Sequence, residues 1–259
     1  MATDTTAPAH LQGSRLISIG RGWASKACDW LFPRFCPVCA ALSDRSGRLL
    51  CWDCFRDLPL HAADERVCDC CGLSPEGLVE SAFVCSACRH ERPAFERARA
   101  AAAFRGGTRV LLHAFKYQRA TWLCEDLTDL LQGCLEVHFE RRAIDVVVPV
   151  PLHPRKQRQR TYNQSALLAR SLARRLKLEM RDDLVRRTRA TPSQTRLSAV
   201  ARRSNMLGAF ETQRSGWVRG RTVLLVDDVM TTGATLTSLA ASLRAAGAWR
   251  VWAVTVARG

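Results

Sequence analysis

Val223-Leu-Leu-Val-Asp-Asp-Val-Met-Thr-Thr-Gly-Ala-Thr235 sets the frame for the whole chain. Four apolar residues, Val223 to Val226, read as a strand buried on both faces, the pattern of a parallel sheet. Asp227 and Asp228 follow where such a strand would leave the core. Thr231-Thr232-Gly233-Ala234-Thr235 then makes a small-residue turn into a helix expected from about Leu236 to Ala246. This order puts an anion-binding loop and two acids at the C-terminal edge of a sheet, where open α/β folds take their ligands.

The residue types fit a defined chemistry. Gly233 lets the backbone bend sharply and approach a phosphate. The first amides of the following helix lack partners within it, so they point at the anion, assisted by the helix dipole. Thr231, Thr232 and Thr235 add hydroxyl donors. Asp227 and Asp228 would repel a phosphate but accept hydrogen bonds from sugar hydroxyls. Donors at one end and acceptors at the other describe a ribose 5-phosphate. A Walker-type site would need a lysine in the loop, and this loop has none.

Further motifs surround this segment: Val148-Pro-Val-Pro-Leu152, Arg160-Thr-Tyr-Asn-Gln164, the spaced Gln194, Leu197, Arg202, Arg203 and Asn205, and a cysteine-rich N-terminal stretch. The 223–235 stretch resembles the signature of type I phosphoribosyltransferases. With the other motifs, the chain from about Cys36 to Arg258 resembles the ComF family of competence-associated, phosphoribosyltransferase-like proteins. That resemblance implies a parallel sheet with helices on both faces, preceded by a small zinc-ribbon module. It also implies phosphoribosyl pyrophosphate as ligand, with Asp227 and Asp228 on the ribose hydroxyls and Thr231 to Thr235 on the 5-phosphate. A role in DNA uptake during natural transformation follows from the same likeness, with single-stranded DNA and a competence helicase or other DNA-processing proteins as further partners.

Eight of the 12 cysteines fall into four knuckles. Cys36-x-x-Cys39 is followed after 11 residues by Cys51-x-x-Cys54, and Cys68-x-x-Cys71 after 13 by Cys85-x-x-Cys88. This spacing fits four-cysteine zinc sites better than disulfides. One or two structural zinc ions are expected, with neighbouring knuckles paired in sequence; a cross-braced pairing would use the same eight ligands. The segment between knuckles is too short and polar for a core of its own, so metal would supply the folding energy. Cys70, inside the third knuckle, could compete with a ligand. Cys124 and Cys134 read as core residues.

The 259 residues allow one main domain and one small one: a tail over 1–24, the zinc module over 25–92, and the ligand-binding domain over 93–259. The net charge of +15 favours phosphates, pyrophosphate or nucleic acid as partners. No apolar stretch reaches the roughly 18 residues of a membrane span, and no signal-peptide core is apparent, so a cytoplasmic location is expected.

A strand is expected from Ala98 to Phe104, a helix from Thr108 to Gln118, a second helix from Thr121 to about Arg141, and a strand from Asp145 to Val150. In the resembling family a lysine placed like Lys116 faces the phosphoribosyl site; a solvated helix-end lysine is the plainer reading. His153 to Arg160 reads as a loop whose Arg155, Lys156, Arg158 and Arg160 would hold pyrophosphate. The family usually has glycine where Thr161 stands, and threonine disfavours positive φ. Asn163 is placed to cap a helix from Gln164 to Leu176, and both residues are candidate ligand contacts. The arginine-rich stretch from Arg186 to Phe210, with Arg202, is the candidate lid over the ligand. A last strand is expected from Arg250 to Ala257.

Phosphoribosyl transfer would displace pyrophosphate from the anomeric carbon, with magnesium bridging phosphate oxygens. No hood motif for an acceptor is identifiable. Two readings follow: a transferase with an unidentified acceptor, or a non-catalytic accessory protein that senses the ligand or single-stranded DNA.

Overall fold

A computed structural model of the chain describes residues 33–75, 77, 81–189 and 208–259. Its elements run in the order α1 (Trp52–Arg56), α2 (Ser86–His90), β1 (Arg97–Ala103), α3 (Gly106–Tyr117), α4 (Cys124–His138), β2 (Val146–Pro149), α5 (Pro154–Arg160), α6 (Gln164–Leu176), β3 (Glu179–Met180), β4 (Val185–Arg187), β5 (Phe210–Thr212), α7 (Ser215–Val218), β6 (Thr222–Met230), α8 (Ala234–Ala245) and β7 (Arg250–Arg258).

Five strands form one parallel sheet in the order β1-β7-β6-β2-β3. Burial on both faces explains why β6 begins with an unbroken apolar run. Along the strands the two faces alternate. Val147, Leu224, Val226 and Val254 pack in one apolar cluster with α3, α4 and α6. Val146, Val148, Val223, Leu225 and Val251 join a second cluster with α8 and the antiparallel β4–β5 pair.

The two cysteine-rich groups divide between these clusters, with Cys36 and Cys51 in the first and Cys68, Cys71, Cys85 and Cys88 in the second. Between them the chain covers the open side of β1. His61 N donates to Ala101 O at 3.0 Å, Ala103 N to Pro59 O at 2.9 Å, and Ala98 N to Cys70 O at 2.7 Å. Three of the backbone groups that an edge strand would leave exposed are thereby paired. Gly72 marks the closest approach: a Cβ there would lie 2.9 Å from Ala98 O. Its φ of +65° also disfavours any other residue.

A charged cluster fastens the first cysteine group to the helices. Arg45 is buried, with Nη1 3.3 Å from Asp126 Oδ1 and Nη2 3.0 Å from Asp129 Oδ2. Asp126 also accepts from the amides of Leu49 and Leu50, at 3.0 and 3.3 Å. Arg175 of α6 reaches Asp129 from the other side at 2.8 Å.

Several boundaries differ from the sequence reading. The basic segment 154–160 is a helix, not a loop: Pro154 suits a first helical position and the following Arg, Lys and Gln are good helix formers. The expected helix from Thr121 to Arg141 divides into a short 3-10 turn, Thr121–Leu123, then α4, which stops at His138 because Phe139 turns extended and packs on Trp252 with ring centroids 5.6 Å apart. Strand β6 continues to Met230, because β7 runs beside it as far as Arg258. Asp227 and Asp228 therefore lie within the strand rather than beyond its end.

Candidate functional site

At the C-terminal edge of the sheet, β6 delivers both acids and then turns. Gly233 takes a left-handed φ of +76° and caps α8, a 12-residue helix that starts at Ala234. The nearest atoms to a Cβ at Gly233 would be Met230 Sδ and Phe95 Cζ at 3.7 Å. The glycine is thus required by backbone conformation rather than by space. Thr231, Thr232 and Thr235 are half-buried around this turn. Thr232 Oγ1 accepts from Ala234 N at 3.4 Å.

Asp228 is buried, and Lys116 Nζ at the end of α3 lies 2.9 Å from its Oδ1. Asp227 is half-buried; its Oδ1 accepts from Ser165 Oγ at 2.7 Å and from the Asp228 amide at 2.9 Å. Burial, reinforced by the charge of Asp228, pushes the Asp227 carboxyl up to about 7. Ser165, Lys116 and the Asp228 amide oppose that rise without cancelling it.

The segment between β2 and α6 supplies a second wall. Asn163 caps α6: its Oδ1 accepts from Ser165 N at 3.1 Å, while its Nδ2 donates to Val150 O at 3.1 Å. One side chain thus ties the start of α6 to the end of β2. Gln164 is buried, and its Oε1 accepts from Arg160 Nη1 at 3.2 Å. Its Nε2 has no partner among the described residues. Tyr162 donates its hydroxyl to Phe115 O, joining this segment to α3. Thr161 adopts φ +68° despite its β-branch, strain of the kind that gathers at ligand loops. Arg155, Lys156, Arg158 and Arg160 all lie on α5; Arg158 is exposed and Arg160 half-buried.

The fold therefore brings together Lys116, Asn163, Gln164, Asp227, Asp228 and the loop from Thr231 to Thr235. Arg202 lies outside the described residues, as does most of the candidate lid, of which β4 and β5 form the base. Arg187 on β4 is buried, and burial pulls its guanidinium below the usual arginine range while the charge of Asp227 opposes the shift. Ser165 and Tyr162 did not emerge from sequence reasoning as site residues. Their position beside Asn163, already marked as a cap, was the available signal.

Cys36, Cys39, Cys51 and Cys54 form one group, and Cys68, Cys71, Cys85 and Cys88 another, with the sulfurs of each group within 4.8 Å of one another. Neighbouring knuckles are paired in sequence, and Cys70 stands outside both groups. Burial works against a thiolate at Cys36, yet the amides of Cys51, Cys39 and Val38 outweigh it and bring the thiol down to about 7. At Cys68 burial is likewise outweighed, here by the amides of Cys71, Cys85 and Cys70, again reaching about 7. Four converging sulfurs with amide support suit tetrahedral, structural zinc with no open coordination position.

Comparison with known proteins agrees with this division. The double zinc ribbon domain matches residues 27–94, and the phosphoribosyl transferase domain matches residues 163–259. The DNA utilization protein YhgH of Escherichia coli O157:H7 is 34% identical over 216 residues, 77% of this chain and 92% of that protein. YhgH of Escherichia coli K12 is 34% identical over 222 residues, 78% of this chain and 95% of that protein. Competence protein F of Haemophilus influenzae is 33% identical over 183 residues, 68% of this chain and 79% of that protein. With a parallel-sheet phosphoribosyltransferase domain, two four-cysteine groups and these relatives, the chain belongs to the ComF/YhgH family.

Proposed function

We propose that the edge of β6 binds phosphoribosyl pyrophosphate and that the protein supports the use of DNA taken up by the cell. The observation that carries the ligand is the succession Asp227, Asp228, left-handed Gly233 and the N-terminus of α8 at one sheet edge. Asp227 and Asp228 accept the ribose hydroxyls. Thr231, Thr232 and Thr235, with the first amides of α8, hold the 5-phosphate. Lys116 and the basic residues of α5, Arg155, Lys156, Arg158 and Arg160, would serve the pyrophosphate, and Asn163 and Gln164 fix the wall beside Asp227. The cellular role is supported by the names of the relatives, DNA utilization protein and Competence protein F.

Transfer from this ligand breaks the bond between the anomeric carbon and pyrophosphate through a sugar cation. The protein contributes by positioning the sugar, stabilising departing negative charge and excluding water. Magnesium suits the oxygen-rich ligand and would neutralise pyrophosphate charge when bound. Asp227 and Asp228 are the oxygen donors beside which it would be held.

Isothermal calorimetry with phosphoribosyl pyrophosphate, with and without magnesium, tests the reading. Binding by the wild type, abolished in Asp227→Ala/Asp228→Ala, is the expected result. No binding at millimolar ligand, or equal binding by the double variant, overturns it. Pyrophosphate release on adding an acceptor would identify a transferase.

A further inference from the structure

Arg258, the last residue of β7, joins the second cysteine group to the end of β6. Its Nη1 donates to Cys71 O at 2.8 Å and its Nη2 to Cys71 Sγ at 3.5 Å. Its backbone stands opposite Met230 in the β6–β7 register, directly before Thr231. Gly259 extends the contact: its amide donates to Met230 O at 3.0 Å, and a Cβ added to it would lie 3.7 Å from Thr231 Cγ2. Phe95 makes a second link. It packs in one apolar cluster with Cys68, Cys71, Cys85 and Cys88, and its Cζ lies 3.7 Å from the place of a Cβ at Gly233. Cys71, Arg258, Thr232 and Ala234 line one cavity of about 880 Å³, so the sulfurs and the loop face the same space.

The chemistry explains why an arginine stands there. Four thiolates around one zinc dication leave a net negative charge, and all four cysteines of this group are buried. Buried charge needs compensation from amides and cations. The Cys85 amide serves Cys68 Sγ at 3.3 Å, and Arg258 brings a full positive charge to Cys71. Arg99, also beside this group, directs its Nη1 at the carbonyls of Cys68, Asp69 and Ala98. Donors outside the ligand sphere orient metal ligands and set metal affinity. The forked guanidinium bonds the carbonyl and the sulfur of one ligand together.

We propose that Arg258 is a positioning residue that couples the second zinc group to the loop from Thr231 to Thr235. Metal holds Cys71, Cys71 holds Arg258, and Arg258 fixes the end of β7 against Met230, from which the loop departs. Loss of that zinc loosens the loop, and by reciprocity a sugar phosphate seated on the loop tightens the zinc. The ligand half of this coupling rests on the reading of the loop given above; the metal half does not.

Timed zinc release to a chromophoric chelator and amide exchange followed by mass spectrometry, both on the metal-loaded full chain, test the coupling. In Arg258→Met one zinc ion is expected to leave about tenfold faster or more, while the other keeps its wild-type rate. Exchange is expected to quicken in segments 68–88 and 229–236 and to stay unchanged in 36–54. Arg258→Lys, which keeps the charge without the fork, is expected to show the same changes more weakly, and it serves if the methionine variant does not fold. Arg250→Met, at the other end of β7 with Glu96 as partner at 3.5 Å, is expected to alter neither readout. Ribose 5-phosphate is expected to slow release of the sensitive ion in the wild type but not in Arg258→Met, whose calorimetric affinity for it falls about fivefold or more. Wild-type release and exchange in Arg258→Met, or acceleration of both ions together, overturns the coupling. Weaker sugar-phosphate binding with unchanged zinc release makes Arg258 a direct ligand contact and overturns it as well. If release and exchange change as expected but the wild type binds no ribose 5-phosphate, the reading of the loop fails and the tie between zinc and loop stands.

Discussion

Lys116 Nζ lies 2.9 Å from Asp228 Oδ1, a bond that joins the end of α3 to the strand bearing both acids. The two side chains are 17% and 10% exposed, so the pair is largely withdrawn from water. Removing the cation leaves a buried carboxylate without its counter-charge. Lys116→Met is expected to cost about 1–3 kcal/mol of stability by urea unfolding. The same variant is expected to weaken phosphoribosyl pyrophosphate binding about tenfold or more, since the cation lies beside the proposed ligand.

Asp227 gives the site a pH dependence whose sign is fixed. Its carboxyl titrates near 7 rather than near its ordinary value of 3.8, so folding favours the neutral form. This contribution to stability is fully present at low pH and is lost as pH rises from the unfolded value through about 7. Asp227→Asn, neutral throughout, is expected to gain on the wild type by about 1–3 kcal/mol between pH 5 and pH 8. Chemical unfolding at the two pH values measures the difference. Ligand affinity is expected to run the other way, strengthening above pH 7 in the wild type as the carboxylate forms.

Asp126 holds the N-terminal part of the chain to α4. It is 2% exposed and accepts from Arg45 and two backbone amides. Asp126→Ala is expected to cost about 3 kcal/mol or more, because three donors lose their acceptor. Proteolysis of the native protein near residues 45–50 is expected to quicken in the variant, which gel analysis over time would record.

Zinc analysis offers a count. Complete thiol modification with a chromophoric chelator is expected to release two zinc ions from the wild type and one from Cys71→Ser or Cys54→Ser. Removal of both ions is expected to lower the melting temperature by more than 10 °C, since metal binding substitutes for a core in such modules. A metal-free protein melting at the wild-type temperature would contradict this.

The central strand, the turn at Gly233 and the helix behind it were legible because each rests on local residues: four apolar side chains, a glycine, and a run of good helix formers. The α6 helix was readable from Asn163, whose side chain performs the cap that its identity suggests. The α5 segment was misread as a loop because its place after an inner strand and its four cations were matched to a pyrophosphate loop, whereas Pro154 and the absence of glycine favour a helical backbone. Thr161 shows the limit from the other side. Its identity argues against positive φ, yet the residue after it, Tyr162, is bonded to Phe115 O of α3 and the next, Asn163, to Val150 O just past β2, and the chain between α5 and these anchors takes φ +68° at Thr161. Ser165 was missed because its partner, Asp227, stands 62 residues away and only the fold brings them together.

The backbone seal along β1 ties colloidal behaviour to metal supply. Should the third knuckle, with Cys70, and the segment Pro59 to His61 between the second and third knuckles loosen, a seven-residue, alanine-rich ribbon would present unsatisfied amides and carbonyls to any neighbouring molecule. Cells starved of zinc would then accumulate polymerised chains, and preparations made with chelators in the buffer would precipitate before any ligand could be tested.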